Sequence, residues 1–274
     1  MIQLVSINEY ERKDRSPMIN ANESDRKKLA PLFDGIWDSM VIAYLQGYMG
    51  DCYVNKLPDP DYGMIVSGEY SFYGGKAEMA EPLLSHLFDY IHGNKSVAIY
   101  ADLKWRDALL EYPQNHPKEV MRHGIVQKDY VFDEEKLKQM SGNLPPGYEL
   151  KPFDKDLYEQ STKAEWSQEF VECFDSAEEF LERGFGYGIV KDGELVAGAT
   201  TQTVYDGGAE TQLATREDQR GQGLAKAVAA AFVLEGQRRG TRICWDAANL
   251  TSLHIATSIG FESAGDYSTV HIRR

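Results

Sequence analysis

The sequence has few cysteines, no long apolar run and a shortage of positive charge. Its three cysteines, Cys52, Cys173 and Cys244, are widely separated and odd in number, which fits neither a disulfide framework nor a zinc site. We therefore expect an intracellular, cytoplasmic protein. No run of about 18 apolar residues is present, which excludes a membrane-spanning helix. The first residues lead into a charged segment rather than an apolar one, so we expect no signal peptide.

Acidic residues outnumber basic ones, with 43 Asp and Glu against 29 Lys and Arg and a formal net charge of −14. Nucleic acid and anionic membrane surfaces are therefore not expected partners. A cationic substrate such as an amine would be attracted to this chain, although acidity is also a common route to solubility. At 274 residues and 42% hydrophobic content, the chain can form one large or two smaller domains.

The most informative stretch lies near the C-terminus, where residues 213–225 read LATREDQRGQGLA. It predicts the end of a strand, a turn rich in Arg and Gly, and a helix that runs to Gly240. Gly221 and Gly223 carry no Cβ, so the backbone can take unusual dihedral angles and let a ligand approach. The free N–H groups of the helix's first turn would face that ligand. These features predict a phosphate-binding loop, although such a turn can also serve only to pack a helix on a sheet.

Spacing excludes two other phosphate loops, because no Lys-Ser or Lys-Thr pair follows the glycines and the pattern is not GxGxxG. Residues 220–225, RGQGLA, resemble the RxxGxA pyrophosphate-binding signature of the GNAT superfamily of N-acetyltransferases, which hold acetyl-coenzyme A. The resemblance extends through a strand predicted at Arg242 to Asp246 and a helix that Asn249 opens and Gly260-Phe261 closes. Residues 245–261, WDAANLTSLHIATSIGF, are similar to the branch that includes zwittermicin A resistance proteins.

The resemblance implies an α+β fold, in which a C-terminal, mixed and mostly antiparallel sheet is flanked by helices and preceded by a smaller α/β domain. The segment 141–147, SGNLPPG, cannot continue a helix, so we expect domains at 1–140 and 148–274 with a linker between them. Asp192-Gly193 predicts a type I′ hairpin turn. The first domain carries no catalytic motif and could shape the acceptor pocket, build a homodimer or be a degenerate copy of the core.

Several helices are expected in the first domain, including a short one from Lys104 to Tyr112 that Pro113 ends. Apolar residues recur at helical spacing from Leu29 to Leu45, Trp37 among them, which predicts one continuous helix that ends near Gly47. A second helix is predicted from Glu78 to Ile91. Alternating apolar residues then predict a strand over 124–132.

Acetyl transfer to an amine needs a held donor, a neutral amine and stabilisation of the developing oxyanion. The resemblance implies that acetyl-CoA is a co-substrate, held by backbone groups of the fourth core strand, the loop and the start of the last helix. The residues are Leu213, Ala214, Thr215, Arg220, Gly221, Gln222, Gly223, Leu224, Ala225, Asn249 and Ser252. We expect no metal.

An ammonium group cannot attack a carbonyl, so a base must accept its proton, directly or through water. Glu210 is the first candidate, because it shares a strand face with Gln212 and Ala214 near the expected thioester; it could equally be a solvent-facing strand residue. Asp246 is the second candidate, with capping of the turn around Asn249 as its alternative role.

One position departs from the family pattern. Many GNAT enzymes carry a Tyr seven residues after the Asn, placed to return a proton to the coenzyme thiolate, and this chain has Ala256 there. Tyr267 and His254 are candidate substitutes, although both residue types more often pack or lie at the surface. A thiolate with a pKa of about 8.5 could also leave without a dedicated acid. We expect Trp245 and Tyr187 to face the core.

The favoured function is acetyl-CoA-dependent N-acetylation of a primary amine on a small molecule, which could be an amino-bearing antibiotic. Two alternatives stay open. A coenzyme-binding sensor or interaction protein that has lost turnover would fit Ala256 and the motif-poor first domain. Acetyl transfer to a protein terminus or lysine would differ only in the acceptor.

Overall fold

The computed structural model describes residues 18–91, 93–126 and 132–274. Its strands are β1 Ile19–Asn20, β2 Asp51–Val54, β3 Tyr62–Ser67, β4 Tyr70–Gly75, β5 Lys95–Tyr100, β6 Lys118–Val126, β7 Tyr148–Pro152, β8 Gly186–Lys191, β9 Glu194–Tyr205, β10 Gly208–Thr215, β11 Arg242–Cys244, β12 Asp246–Ala247 and β13 Glu262–Arg273. Its α-helices are α1 Arg26–Leu29, α2 Ser39–Gln46, α3 Glu81–Leu84, α4 Leu103–Leu110, α5 Glu134–Gly142, α6 Lys155–Ser161, α7 Ala177–Arg183, α8 Leu224–Arg239 and α9 Leu250–Ile259. The expected charged N-terminal start and residues 127–131 of the strand predicted over 124–132 lie outside the described residues.

The described residues group by their contacts into two compact units. Unit 1 contains residues 18–36, 51–91, 93–118 and 270–274; unit 2 contains residues 37–50, 119–126 and 132–269. This division does not follow the boundary predicted at 141–147. Helix α2 lies against β9 and β10 and so belongs with unit 2, while the end of β13 pairs with β5 in unit 1. Such long-range packing leaves no mark in the composition of a linker.

In unit 1 the strands follow the order β1-β2-β3-β4-β5, and the last residues of β13 follow β5. Strands β2, β3 and β4 form an antiparallel meander, and β5 joins β4 in parallel. Every residue of β3 is buried, as expected for a central strand that is covered on both faces. Trp105 of α4 anchors this core: its indole N–H donates to the carbonyl of Gly75 at 3.1 Å, and its ring packs on Tyr73.

The continuous helix predicted from Leu29 to Leu45 is wrong. Helix α1 ends at Leu29, a 3₁₀ turn follows, and the chain straightens before α2 begins at Ser39. Gly35 has a φ of +86°, a left-handed conformation that interrupts a helix, and Asp38 starts a new one by accepting a hydrogen bond from the Met40 N–H. Trp37 does not pack in the predicted stripe; it is 92% exposed.

The helix predicted from Glu78 to Ile91 is also interrupted. In its place the chain forms a 3₁₀ turn at Ala77–Met79, the four-residue helix α3 and a second 3₁₀ turn at Leu87–Asp89. Pro82, inside α3, has no N–H to donate to a preceding turn, which favours a new helix start rather than a continuing helix.

Unit 2 contains a five-stranded sheet in the order β11-β10-β9-β8-β7. Strands β7 to β10 pair antiparallel, and β11 pairs parallel to β10. Asp192 and Gly193 both have positive φ, which confirms the predicted type I′ turn between β8 and β9. The first part of β13, with β6 and β12, forms further pairing in this unit.

Two apolar clusters cover the five-stranded sheet. Helix α8 lies against β8 and β9, and its small alanines bring it close to Ile189. The second cluster contains Val190 and an aromatic group from the α6 and α7 region, Phe153, Phe170, Phe174 and Phe180. Because Ile189 and Val190 are neighbours on one strand, the two clusters lie on opposite faces. The fold is α+β, with mixed, mostly antiparallel sheets flanked by helices, as predicted.

Candidate functional site

Strands β10 and β11 are paired at one end and separate at the other. Gly208 to Glu210 pair with Arg242 to Cys244. The chain then turns at Trp245, and β12 pairs with β6 in place of β10. The single strand predicted from Arg242 to Asp246 is therefore divided in two. Within the described residues no strand pairs with β10 on this side beyond Glu210, so the backbone groups of its last residues face an opening.

A cavity of about 620 Å³ lies at this opening. Every residue predicted to bind the cofactor lines the cavity except Gln222. The Gln222 side chain instead accepts a hydrogen bond from the hydroxyl of Tyr148 at 2.8 Å, outside the lining. The exposed end of β10, the glycine loop and the starts of α8 and α9 thus form one concave surface.

The loop before α8 takes the conformation that its glycines allow. Gly221 and Gly223 have φ values of +78° and +82°, and a Cβ added at either position would meet no atom within 4 Å. Glycine is therefore required here by the backbone conformation rather than by crowding. Gly223 precedes the first residue of α8, and no side chain caps this helix. The N–H groups of its first turn are left to face the cavity.

The charged residues that line the cavity are basic. Arg220 and Lys226 contribute cations, and the described lining contains no Asp or Glu. This local charge contrasts with the net charge of −14 of the chain. The Lys226 ammonium lies 3.0 Å from Nε2 of His254, so the ring accepts a hydrogen bond from it, which favours the tautomer with its proton on Nδ1.

The start of α9 closes the cavity on its other side. Asn249 caps this helix by accepting a hydrogen bond from the Ser252 N–H at 3.0 Å. The Ser252 hydroxyl in turn accepts from the indole of Trp245 at 3.0 Å. Trp245 is buried in the core, as predicted, and Tyr187 is half-buried against the same core. The side chain that caps α9, after the divided strand, is therefore that of Asn249 and not that of Asp246.

Glu210 lies on β10, before the exposed edge, and is only 8% exposed. It occupies an irregular position where the pairing register with β9 shifts by one residue. One carboxylate oxygen accepts a hydrogen bond from the Ser39 hydroxyl, and the other accepts from the backbone N–H of Asp246 at 3.1 Å. Burial, reinforced by the charge of Asp38, raises the pKa of Glu210 to about 8. The alternative that Glu210 faces solvent is wrong.

Glu210 is part of a network of polar side chains, called here the carboxylate network. Its other members are the carboxylates of Asp38 and Asp246 and the side chains of Arg122 and Tyr267. Burial and the charge of Asp246 raise the pKa of Asp38 to about 6, against the opposing effect of its hydrogen bond from Met40. Asp246 accepts a hydrogen bond from Nε of Arg122 at 2.5 Å. Tyr267, a candidate acid, is half-buried, and desolvation together with the charge of Asp246 raises its pKa far above the usual value. The network thus contains three carboxylates and one buried guanidinium, which pairs with Asp246.

The GNAT acetyltransferase family model matches residues 30–270. This chain belongs to the GNAT acetyltransferase family. A crystal structure of a GCN5-related N-acetyltransferase-like protein from Streptococcus suis 89/1591 is similar to it, with 31% identity and a TM-score of 0.81 over 91% of this chain and 99% of that one. The resemblance to GNAT proteins inferred from the loop and its surroundings is thereby confirmed.

A curated relative, the uncharacterized N-acetyltransferase YdfB of Bacillus subtilis (strain 168), is 31% identical over 127 residues, which is 46% of this chain. The match spans 48%, about half, of that relative's length. A tandem GNAT protein from the clavulanic acid biosynthesis pathway shares the fold, with 12% identity and a TM-score of 0.58 over 93% of this chain and 98% of that one.

Ala256, at the position where many GNAT enzymes carry a Tyr, is a core residue. Ala256 is fully buried against the cluster that contains Ile259 and Phe261. Its methyl group is therefore part of the core, and Ala256 does not line the cavity. Of the two candidate substitutes, His254 lines the cavity and Tyr267 belongs to the carboxylate network.

Sequence reasoning missed three residues of this site: Asp38, Ser39 and Arg122. The first two were placed inside one long helix, although Gly35 followed by Asp38-Ser39 is a recognisable helix stop and restart. Arg122 carried no signal in the sequence, because its role depends on the pairing of β6 with β12.

The described residues also limit other interpretations of the molecule. None of their helices combines the length and the apolar character that crossing a bilayer requires. They contain no group of three or more His, Cys, Asp or Glu side chains placed to hold a metal ion.

Proposed function

We propose that this protein is an acetyl-CoA-dependent N-acetyltransferase that acetylates a primary amine of a small molecule. The observation that carries the proposal is the cavity beside β10, where an exposed strand edge leads to an uncapped helix N-terminus. This arrangement suits a ligand with an extended amide-containing arm and a diphosphate, which is the chemistry of coenzyme A.

The residues that line the cavity divide the work of holding the coenzyme. The loop amides from Arg220 to Ala225 would bind the diphosphate, with Arg220 and Lys226 adding positive charge. The backbone groups of Leu213 to Thr215 would pair with the pantetheine arm as an added strand and supply an N–H for the thioester oxygen. When bound, acetyl-CoA supplies an activated acetyl group. Remote binding of this kind sets the reacting carbonyl in place.

Glu210 is the proposed general base. A carboxylate with a pKa of about 8 accepts a proton from an ammonium group far more readily than an ordinary Glu. Glu210 lies three residues before Leu213 on the same strand, about 10 Å along it, so the proton would reach Glu210 through a chain of water molecules. Its two hydrogen-bond donors, Ser39 and Asp246, fix the direction in which the carboxylate points.

Asp246 has a supporting role in this proposal. Its carboxylate is held in an ion pair with the buried guanidinium of Arg122. Its backbone N–H, however, bonds directly to Glu210. We therefore assign proton acceptance to Glu210 and orientation of Glu210 to Asp246.

The acceptor is proposed to be a small cationic amine. The acidic character of the chain and the carboxylates around Glu210 favour a cation over an anion. The resemblance of residues 245–261 to the branch with zwittermicin A resistance proteins makes amino-bearing antibiotics one class to test. A second candidate function, a coenzyme-binding sensor without turnover, is favoured by the buried Ala256, which provides no proton donor at the position where many GNAT enzymes carry a Tyr.

A thiol-release assay separates these two functions. Purified protein is incubated with acetyl-CoA and panels of simple amines, aminoglycosides and peptides, and free coenzyme thiol and acetylated product are both measured. We expect amine-dependent release of thiol together with a matching acetylated product. Binding of acetyl-CoA without thiol release from any amine would support the sensor and contradict the transferase.

A further inference from the structure

We propose that Asp38 and Ser39, at the start of helix α2, are positioning residues that hold the Glu210 carboxylate ready for proton transfer from the acceptor amine. The inference rests on the proposed function of Glu210 and extends it to a segment that carries no acetyltransferase motif. Ser39 lies 171 residues before its partner in the sequence, yet its hydroxyl donates directly to Glu210.

The start of α2 is built to place the Ser39 hydroxyl. Asp38 has an extended backbone and accepts a hydrogen bond from the Met40 N–H at 2.8 Å, which fixes Ser39 as the first helical residue. Ser39 is itself 6% exposed, so its hydroxyl has little access to water. Donors on two different segments, α2 and β12, therefore grip the two carboxylate oxygens of Glu210 and leave it one orientation.

The two neighbours act on Glu210 with opposite signs. The Ser39 hydroxyl donates a hydrogen bond to the ionised carboxylate and lowers the pKa of Glu210, whereas the negative charge of Asp38 raises it. If Ser39 were only a structural serine at a helix start, only the lowering of the Glu210 pKa would be seen. If Asp38 were only a helix cap, neither effect on the Glu210 pKa would be seen. The opposite signs give the proposal its test.

Other groups face Glu210 from the elements that pack around it. Asp246 on β12 adds negative charge, while Cys244 on β11 and Tyr205 on β9 have pKa values raised by burial and stay neutral near pH 7. Arg122 on β6 and Tyr267 on β13 act through Asp38 and Asp246. Of these groups, Asp38 and Ser39 lie at the start of α2, away from the strands and the cavity lining, so they can be changed without altering either.

Helix α2 does not depend on the Ser39 hydroxyl for its place. Its buried apolar side chains, Met40, Val41 and Ala43, lie on a helix that packs against β9 and β10. Ser39→Ala keeps these contacts and removes one donor. Asp38→Asn keeps a good helix cap, since Asn caps as well as Asp, and removes one charge. Ser167→Ala is the matched control, because Ser167 is also buried and donates to a backbone carbonyl away from Glu210.

The test measures the titration of Glu210 directly and through the reaction. Carboxyl-labelled glutamate is followed by NMR, with the Glu210 signal assigned by its loss in Glu210→Gln, and pH profiles of kcat and kcat/KM are recorded for the same proteins. We expect Ser39→Ala to raise the Glu210 titration by about one pH unit, Asp38→Asn to lower it by a similar amount, and Ser167→Ala to leave it in place. The kinetic profiles should shift with it.

The outcomes separate the inference from the function on which it rests. An NMR titration that neither substitution moves overturns the positioning role, whether or not the protein turns over. A titration that moves while the kinetic profile stays fixed also overturns it, because Glu210 is then not the base. Absence of turnover in the wild-type protein with every amine would defeat the proposed function itself, a result that the thiol-release assay reports on its own.

Discussion

Nε of Arg122 lies 2.5 Å from a carboxylate oxygen of Asp246, and the Arg122 side chain is only 5% exposed. This ion pair joins β6 to the divided strand and places a guanidinium where its charge acts on the carboxylate of Asp38. Three acidic side chains in one partly buried region would otherwise repel one another. The pair therefore holds the carboxylate network together.

Removal of the guanidinium should destabilise the fold. We expect Arg122→Met to lower the free energy of unfolding by about 3 kcal/mol near pH 8, because a buried ion pair loses one partner. The loss should be smaller near pH 5, where protonation relieves the repulsion among the carboxylates. Urea denaturation at the two pH values measures both. Arg238→Met, which breaks a surface pair with Glu235, is the control and should cost less than about 1 kcal/mol.

The buried Glu210 should make stability depend on pH. Its pKa is about 8 in the folded protein against an ordinary value of 4.5, so between these values the folded state holds a proton that the unfolded state has released. The contribution of this group to stability therefore falls as pH rises from 4.5 to 8. Glu210→Gln should flatten the curve of melting temperature against pH and gain stability relative to wild type above pH 8. Parallel curves for the two proteins would contradict the raised pKa.

The same group should control the rate. A base must be deprotonated to act, so kcat/KM of the wild type should rise with pH and level off above about 8. Glu210→Gln should lose this rise and lower the rate by about 10²-fold to 10⁴-fold. Steady-state kinetics over the pH range test this, with acetyl-CoA affinity as the check on folding. An unaltered profile in Glu210→Gln would remove Glu210 from the role.

The cationic lining of the cavity should favour the phosphates of the coenzyme. Lys226 is on the first turn of α8, so we expect Lys226→Gln to weaken CoA binding about tenfold and to reduce its dependence on salt. Calorimetry at low and high ionic strength measures both effects. Lys155→Gln, at an exposed ion pair with Glu178 outside the cavity, should change neither. Equal losses in the two variants would point to a general charge effect.

The cavity and its loop were predictable because their residues are nearly contiguous. The conformation of the turn from Arg220 to Ala225 depends on its own residues. Glycine occupies its left-handed positions, and no side chain caps the helix N-terminus that follows. Asn249, a residue type that favours the cap position, likewise predicted the start of α9. Local rules of backbone conformation are enough to read such segments.

The carboxylate network was not predictable in the same way. It joins Ser39, Arg122 and Glu210, which come from three distant parts of the chain and meet only after α2 packs on β10 and β12 pairs with β6. Apolar periodicity also concealed the break at Gly35, because the spacing of hydrophobic residues happens to continue across it. Such a site forms through tertiary contacts between distant segments, which cannot be predicted from the local pattern of a single sequence.

The central claim is that the loop before α8 receives the diphosphate of coenzyme A, and calorimetric titration of CoA into Gly223→Asp tests it most directly. The substitution places a carboxylate at the uncapped helix N-terminus, where it would repel and obstruct the ligand. Gly193→Asp is the matched control, because Gly193 has a similar positive φ and open surroundings but lies in the β8–β9 turn. We predict at least a hundredfold loss of affinity, to order of magnitude, in Gly223→Asp and wild-type affinity in Gly193→Asp. Wild-type affinity in Gly223→Asp would contradict the account.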